Sequence, residues 1–323
     1  MVYSNGNLWD AKGFRRRLSV LSVLVIILFG FLLARLWQLQ IIQNEKYQTL
    51  SEHNRVRTLP LKSPRGYIKD RSGALLVENR PEFKLYAIPE DVPDVQGLLA
   101  RIEGNINVDA ESLSKQLVTS SKFKPVLVKG GLGRNELGYI EEHRPDLPGT
   151  FIQVEPVRFY RYGPLAAHLM GYLGEINAEE LNDGALKGYM SGDYIGKSGL
   201  EKVHENMLRG RKGHKLVEVD ALGRELRVLG DLEPLMGDSV TLTIDLKLQI
   251  LAEDLLVGER GAIIIMDPRD GQVLAYASKP AFDPNLFASG LRKRDWAELS
   301  RDKAHPLQDR ALQGQYPPGS VFK

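Results

Sequence analysis

The chain has 323 residues, enough for a membrane segment and about two globular units at roughly 100 to 200 residues each, so one compact domain is not expected. Its 43 basic and 41 acidic residues leave a formal charge of +2, which gives no electrostatic footprint for nucleic acid or for a strongly acidic partner. The absence of cysteine excludes disulfides, thiolate metal sites and cysteine nucleophiles, and leaves the fold to stand on packing.

The first element is an apolar run from Leu18 to Ala34, with apolar character resuming at Leu36, Trp37, Leu39, Ile41 and Ile42. That length spans a bilayer. Lys12, Arg15, Arg16 and Arg17 precede it and only Arg35, Glu45 and Lys46 follow at once, so the amino end is expected in the cytoplasm and the bulk of the chain outside it. A cleaved signal peptide is the rival reading, but its apolar core would be unusually long and no small-x-small cleavage site follows. The basic cluster also argues against a buried core helix. Residues 1–17 therefore read as a cytoplasmic tail and 18–42 as an uncleaved transmembrane anchor.

Beyond Tyr47 strand-like and helix-like stretches alternate between glycine and proline breaks, the texture of an α+β domain. Gly66 to Lys69 and Ala74 to Val77 form a predicted hairpin around Asp70-Arg71-Ser72-Gly73. Asp91 to Leu117 reads as short helices and loops. Glu136 to His143 and Ala178 to Leu181 are helix candidates, the second with Asn177 as N-cap. The texture changes near Asp238: Ser239 to Ile244 alternates as a strand, and Asp245 caps a predicted helix over 246–257. We place a domain boundary there, giving domains 43–238 and 239–323. Ala262 to Met266 and Gln272 to Ala277, flanking Asp267-Pro268-Arg269-Asp270-Gly271, predict a hairpin; its apolar strands suggest a sheet covered by helices on both faces.

The last eight residues, Tyr316-Pro317-Pro318-Gly319-Ser320-Val321-Phe322-Lys323, contain Ser-x-x-Lys, which on a helix brings the Lys323 amine within reach of the Ser320 hydroxyl. The spacing alone identifies nothing, because Ser112 to Lys115, Ser121 to Lys124 and Ser300 to Lys303 share it and read as solvated surface. The setting of Ser320 differs: Pro-Pro-Gly makes a rigid turn that places it near a helix N-terminus, where developing negative charge is favoured. An ordinary serine cap is the competing interpretation. Gly196-Lys197-Ser198 lacks the earlier glycine of a phosphate loop, since Ser191 stands there, and Gly130-Gly131-Leu132-Gly133 marks a turn. The six histidines show no metal-ligand spacing, and His168 reads as a satisfied packing residue; no cofactor or metal is implied.

Taken in order, several segments resemble the class B penicillin-binding proteins. Arg65-Gly66-Tyr67-Ile68-Lys69-Asp70-Arg71-Ser72-Gly73, Ala166-Ala167-His168-Leu169-Met170-Gly171-Tyr172-Leu173-Gly174, and Gly196-Lys197-Ser198-Gly199-Leu200-Glu201 with Leu208-Arg209-Gly210 resemble three motifs of that family's pedestal, or dimerisation, domain. We read these as structural joints whose glycines permit tight backbone turns. Thr243-Ile244-Asp245, Asp267-Pro268 with Gly271, Pro280 with Asp283-Pro284-Asn285, and the closing Ser-x-x-Lys resemble the opening of its transpeptidase domain. The double proline and the pedestal segments look more like the elongation-specific branch than its division-specific cousin. Arg161, where relatives often have proline, and His204, where tyrosine is common, depart from the pattern.

The resemblance implies a transmembrane helix, an α+β pedestal and the beginning of an α/β transpeptidase domain related to serine β-lactamases. It implies a D,D-transpeptidase of the bacterial inner membrane in which Ser320 attacks the D-alanyl-D-alanine carbonyl and Lys323 serves as base. Peptidoglycan stem peptides and β-lactams would be its ligands; a polytopic glycosyltransferase and scaffold proteins of the elongation complex would be its partners. No Ser-x-Asn or second Lys-Thr-Gly type motif follows Lys323, and the stretch from Thr243 is shorter than the roughly 150 residues such a domain needs. The chain is therefore expected to be incomplete and inactive as written. A membrane-anchored interaction module and a β-lactam-sensing or β-lactamase relative are the alternatives, the latter fitted poorly by the long pedestal.

Overall fold

The computed structural model describes residues 11–44, 56–182, 188–219, 225–291 and 293–317, with only the backbone at 11–16 and 293. The chain divides into two compact units, Met1–Arg57 and Thr58–Lys323.

In the first unit an α-helix over Ala11–Trp37 runs into a π-helical turn at Gln38–Ile42, closed by Gln43 N–H donating to the Gln38 carbonyl at 3.0 Å. Within it the stretch Arg17–Ile42 is long and apolar enough to cross a membrane, and none of it is buried against protein. Its apolar residues occupy every side of the helix, as a lipid-facing surface requires.

Among the described residues the strands are β1 (Val56–Leu61), which begins just ahead of the second unit, and, within that unit, β2 (Ile68–Lys69), β3 (Leu75–Ala87), β4 (Val126–Lys129), β5 (Thr150–Tyr160), β6 (Leu173–Glu175), β7 (Tyr194–Gly196), β8 (Gly213–Val219), β9 (Glu225–Leu232), β10 (Val240–Thr241), β11 (Gly261–Met266) and β12 (Val273–Lys279). The 13-residue β3 is its spine. Antiparallel β5 pairs with it from Val77↔Tyr160 to Ala87↔Thr150, while β2 and β4 share its other edge at opposite ends. β10 adds in parallel to β2, and β1-β8-β9 form a separate sheet.

The predicted first hairpin is present, with Gly73 at φ 89° and the Asp70 carboxylate accepting from the Ser72 and Ala74 N–H groups, both at 2.8 Å. The carboxyl-terminal half of β3 is covered by helices Val95–Glu103, Ala110–Thr119 and Arg134–Glu142. Asp94 and Asp109 cap the first two, and Leu98, Leu99, Ile102, Leu113, Leu117 and Ile140 recur at helical spacing to face Leu85, Ala87 and Val126. The amino-terminal half belongs to a second core of Ile68, Leu76, Val77, Tyr160, Ala166, Met170 and Leu208. One strand thus spans two cores.

Asn177 caps the predicted helix at Ala178–Asn182 reciprocally: its side chain accepts from Glu180 N–H at 2.8 Å, and Glu180 accepts from Asn177 N–H at 2.8 Å. Beyond Asp238 the strand shrinks to Val240–Thr241, because it pairs only with two-residue β2. Asp245 does cap a helix, Leu246–Asp254, shorter than 246–257 because Leu255 to Val257 close as turns. The β11–β12 hairpin forms as predicted across Asp267–Gly271. As expected, helices lie on both of its faces: Leu246–Asp254 covers one, and the short helix Arg310–Gln313 docks on Tyr276 and Ser278 of the other. Leu248, Ala252 and Leu256 pack with Ala275, Ala277, Ile263 and Ile265, whereas Ile264 and Met266 stay exposed.

Candidate functional site

Ser320 and Lys323 lie outside the described residues, so the site is approached through what leads to them. The last described helix, Arg310–Gln313, is capped by Asp309, whose carboxylate accepts from the Ala311 and Leu312 N–H groups at 3.1 and 3.3 Å and from the Tyr276 hydroxyl at 2.7 Å. Arg310 N–H donates to Ser278 Oγ at 2.9 Å, so two side chains of β12 dock this helix. The buried Arg310 guanidinium reaches back to the carbonyls of Ala304 at 2.7 Å and His305 at 3.1 Å, folding the preceding turn around itself. His305 adopts φ 47° there.

Two further contacts join the earlier sheet to this region. Asn285, from the Asp283-Pro284-Asn285 segment, brackets the backbone of Tyr160, accepting from its N–H at 2.8 Å and donating to its carbonyl at 3.0 Å. Glu253 accepts from Ala166 N–H at 2.5 Å and from Gln249 at 2.9 Å, and pairs with Lys279 at 2.7 Å. Helix Leu246–Asp254 therefore buries Gln249 and Glu253 while Leu251 is exposed. A pattern of apolar residues cannot reveal this, since Gln249 and Glu253 are polar and are satisfied by backbone on either side.

The first and third pedestal-like motifs meet in a buried charge cluster. Arg65 donates to Glu201 at 2.7 and 3.0 Å and to Glu205 at 2.9 and 3.0 Å. Arg158 reaches Glu201 at 2.6 Å and the Gly66 carbonyl at 2.7 Å; Gly196 N–H reaches Glu205 at 2.8 Å, and the Tyr189 hydroxyl also donates to Glu205. Burial alone would lower the Arg65 pKa, but Glu201 and Glu205 outweigh it and hold the guanidinium above its ordinary value. Burial would raise Glu205, yet Arg65, Tyr189 and the Gly196 N–H hold it below the usual carboxylate value. This arrangement holds charge in place and offers no free nucleophile, in keeping with a joint. Arg65 and Glu201 stand in recognisable segments; Glu205, Gln249, Glu253 and Arg310 carry no sequence signal of their own.

Beside the cluster lies a cavity of about 100 Å³, lined in part by Lys62, Lys84, Glu155, Tyr189 and Asp193. Glu155 Oε2 sits 3.0 Å from Lys62 and 3.2 Å from Lys84 in ionic contact without hydrogen-bond alignment, while its other oxygen accepts from the Tyr86 hydroxyl at 2.6 Å. Burial would raise this carboxyl too, but the two lysines and Tyr86 hold it low. Depressed folded-state pKa values at Glu155 and Glu205 contribute stability that is complete above the unfolded carboxylate value, about 4.3, and is lost as pH falls through the lower folded values. The melting temperature is accordingly expected to drop below about pH 4.3, with a shallower drop in Glu205→Gln. An unchanged slope in that variant would remove Glu205 from the account.

The other Ser-x-x-Lys pairs, Ser112/Lys115, Ser121/Lys124 and Ser300/Lys303, are exposed, as expected of solvated surface. His168 is buried, stacks edge-on to Phe282 at 5.4 Å, and donates from Nε2 to the Pro306 carbonyl at 2.8 Å. Burial holds its pKa below the ordinary histidine value. Lys197, of the rejected phosphate-loop segment, pairs with Glu180 at 2.5 Å.

Residues 60–242 match the penicillin-binding protein dimerisation domain, and residues 261–323 match the penicillin-binding protein transpeptidase domain. Peptidoglycan D,D-transpeptidase MrdA of Acinetobacter baumannii is 37% identical over 317 residues, covering 97% of this chain and 47% of that protein. The MrdA of Escherichia coli K12 is 37% identical over 317 residues, covering 96% and 50%. Among solved structures, the complex between penicillin-binding protein PBP2 and MreC from Helicobacter pylori superposes with a TM-score of 0.68 at 29% identity, covering 83% of this chain and 51% of that one. The chain spans about half the length of the curated relatives it matches.

Proposed function

Because the chain belongs to the penicillin-binding protein family, with a dimerisation domain followed by transpeptidase-domain sequence, we propose that its protein is a peptidoglycan D,D-transpeptidase of cell-wall elongation. The observation that carries this reading is the transpeptidase match over 261–323, which includes the Ser-x-x-Lys at Ser320 and Lys323. In it, Ser320 Oγ attacks the penultimate D-alanine carbonyl of a stem peptide while its proton passes to Lys323. The peptide bond breaks, D-alanine leaves with a proton, and the acyl group on Ser320 is transferred to an amine of a neighbouring strand. A β-lactam acylates the same oxygen by ring opening. Lys323 must be neutral to accept the proton, which requires burial or nearby positive charge to lower its pKa.

The helix Arg17–Ile42 serves in this reading as a single-pass anchor in the bacterial plasma membrane, with Lys12, Arg15, Arg16 and Arg17 keeping the amino end cytoplasmic. The domains follow as 1–17 tail, 18–42 anchor, 43–238 pedestal and 239–323 transpeptidase portion. A scaffold protein of the MreC kind is the partner suggested by the Helicobacter complex, and a polytopic glycosyltransferase completes the assembly. That complex also favours a second role, in which the chain is a membrane-anchored interaction module of the cell-wall synthesis complex.

The test is covalent labelling of the full-length protein by a fluorescent penicillin. The native protein is expected to label and Ser320→Ala to lose the label entirely; labelling that survives the substitution would place the nucleophile elsewhere.

A further inference from the structure

The turn Ala304–Asp309, which leads to the Ser-x-x-Lys segment, is held from three directions. Arg310 grips it from within through the Ala304 and His305 carbonyls. From β12, Tyr276 and Ser278 hold Asp309 and the Arg310 N–H. The third hold is His168, more than a hundred residues earlier in the chain, whose Nε2–H reaches the Pro306 carbonyl at 2.8 Å. A carbonyl oxygen only accepts, so this contact fixes the Nε2-protonated tautomer.

His168 is itself rigidly placed. Its helix, Ala167–Met170, follows Ala166, which takes the left-handed conformation at φ 52° and is pinned through its N–H to buried Glu253. The ring is closed in by Phe282, and Asp309, Arg310 and Glu253 are the charged groups that act on it. Gln249, bonded to Glu253, also brackets Tyr276, accepting from its N–H at 2.7 Å and donating to its carbonyl at 2.8 Å. One buried network therefore ties the second pedestal motif, which carries His168, to the β12 support of the turn.

We propose that His168 is a positioning residue for the transpeptidase reaction: its bond to Pro306 holds the turn that leads into the Ser-x-x-Lys segment, so that loosening this contact slows acylation at Ser320. The inference rests on the proposed role of Ser320. A displaced nucleophile forfeits rate while leaving ligand recognition intact, and a misplacement of about 1 Å can cost on the order of a hundredfold.

The experiment compares His168→Phe, which keeps the aromatic contact with Phe282 and removes the donor, with His168→Gln, which restores an N–H donor. In the full-length protein, the first-order acylation step by a penicillin is expected to slow about tenfold or more in His168→Phe, with the preceding binding constant unchanged, and to recover most of its rate in His168→Gln. Amide exchange over residues 304–317 is measured in the same proteins and is expected to quicken in His168→Phe alone, with β3 and β5 unaffected. Native-rate acylation in His168→Phe, or a His168→Gln as slow as His168→Phe, overturns the proposal, as does unchanged exchange over 304–317. A native protein that fails to acylate, with the exchange difference present, leaves the tether standing and removes the role given to Ser320.

Discussion

Replacing Glu201 with alanine is expected to lower the unfolding free energy by about 3–5 kcal/mol, the range found when one member of a buried ion pair is removed. The carboxylate is 0% exposed and receives both Arg65 and Arg158, so its loss leaves two buried guanidinium groups short of their counter-charge. Arg158 suffers most. Its side chain is 1% exposed, its Nη2 has no hydrogen-bond partner among the described residues, and Gly66 O is its other bonded acceptor. Glu201→Gln is expected to cost less, because the shape and one acceptor remain. The control is the exposed pair Lys115–Glu111, equally short at 2.6 Å but 73% and 81% exposed, where Lys115→Ala should change stability by less than about 1 kcal/mol. Thermal and urea unfolding of the detergent-solubilised chain measure all three; a Glu201→Ala midpoint close to the Lys115→Ala one would show that the cluster is not a stabilising joint.

Gly171→Ala is the second large effect, expected at about 3 kcal/mol or more from left-handed strain and steric overlap together. Gly171 stands at φ 76° and ends the helix Ala167–Met170, and a Cβ there would overlap the Ser198 carbonyl. The second and third pedestal motifs run side by side at this point, Lys197 N–H donating to the Tyr172 carbonyl at 2.9 Å and β6 pairing with β7. Nothing can shift without parting the two segments. Gly73→Ala separates the two contributions, since Gly73 has φ 89° but open space where the methyl would go, leaving strain alone at about 1–2 kcal/mol. Equal losses at the two positions would mean that close packing of the motifs contributes nothing.

Local patterns in the sequence announced the elements whose causes are local. The Asp70–Gly73 turn, the Asn177 and Asp245 caps and the Asp267–Gly271 hairpin formed as expected because each is specified within a few residues. The strand over 239–244 came out shorter because its length depends on β2, far away in the chain. Helix Leu246–Asp254 kept an apolar stripe of Leu248, Ala252 and Leu256 against the hairpin, but no apolar pattern shows that Gln249 and Glu253 are buried beside it to satisfy backbone groups of Tyr276 and Ala166. The motifs around Arg65, His168 and Glu201 were visible as segments, whereas their convergence was not: a resemblance names residues in order, and only the fold brings Arg65 against Glu205. Ser320 and Lys323 remain proposals resting on the motif.

The parallel pairing of β10 on β2 bears on how the protein assembles as it is made. Tyr67 N–H reaches Ser239 Oγ across 172 residues, and Val240 and Leu242 then zip along Tyr67 and Lys69. Closing a free loop of that length costs on the order of 4–5 kcal/mol, so the pairing is easier once the intervening helices and strands have folded and shortened the effective loop. Until residue 242 has been delivered, the outer edge of β2 stands open as a template for wrong pairing. Synthesis from the amino end thus imposes a waiting period on the first motif, ending when the last strand of the sheet arrives.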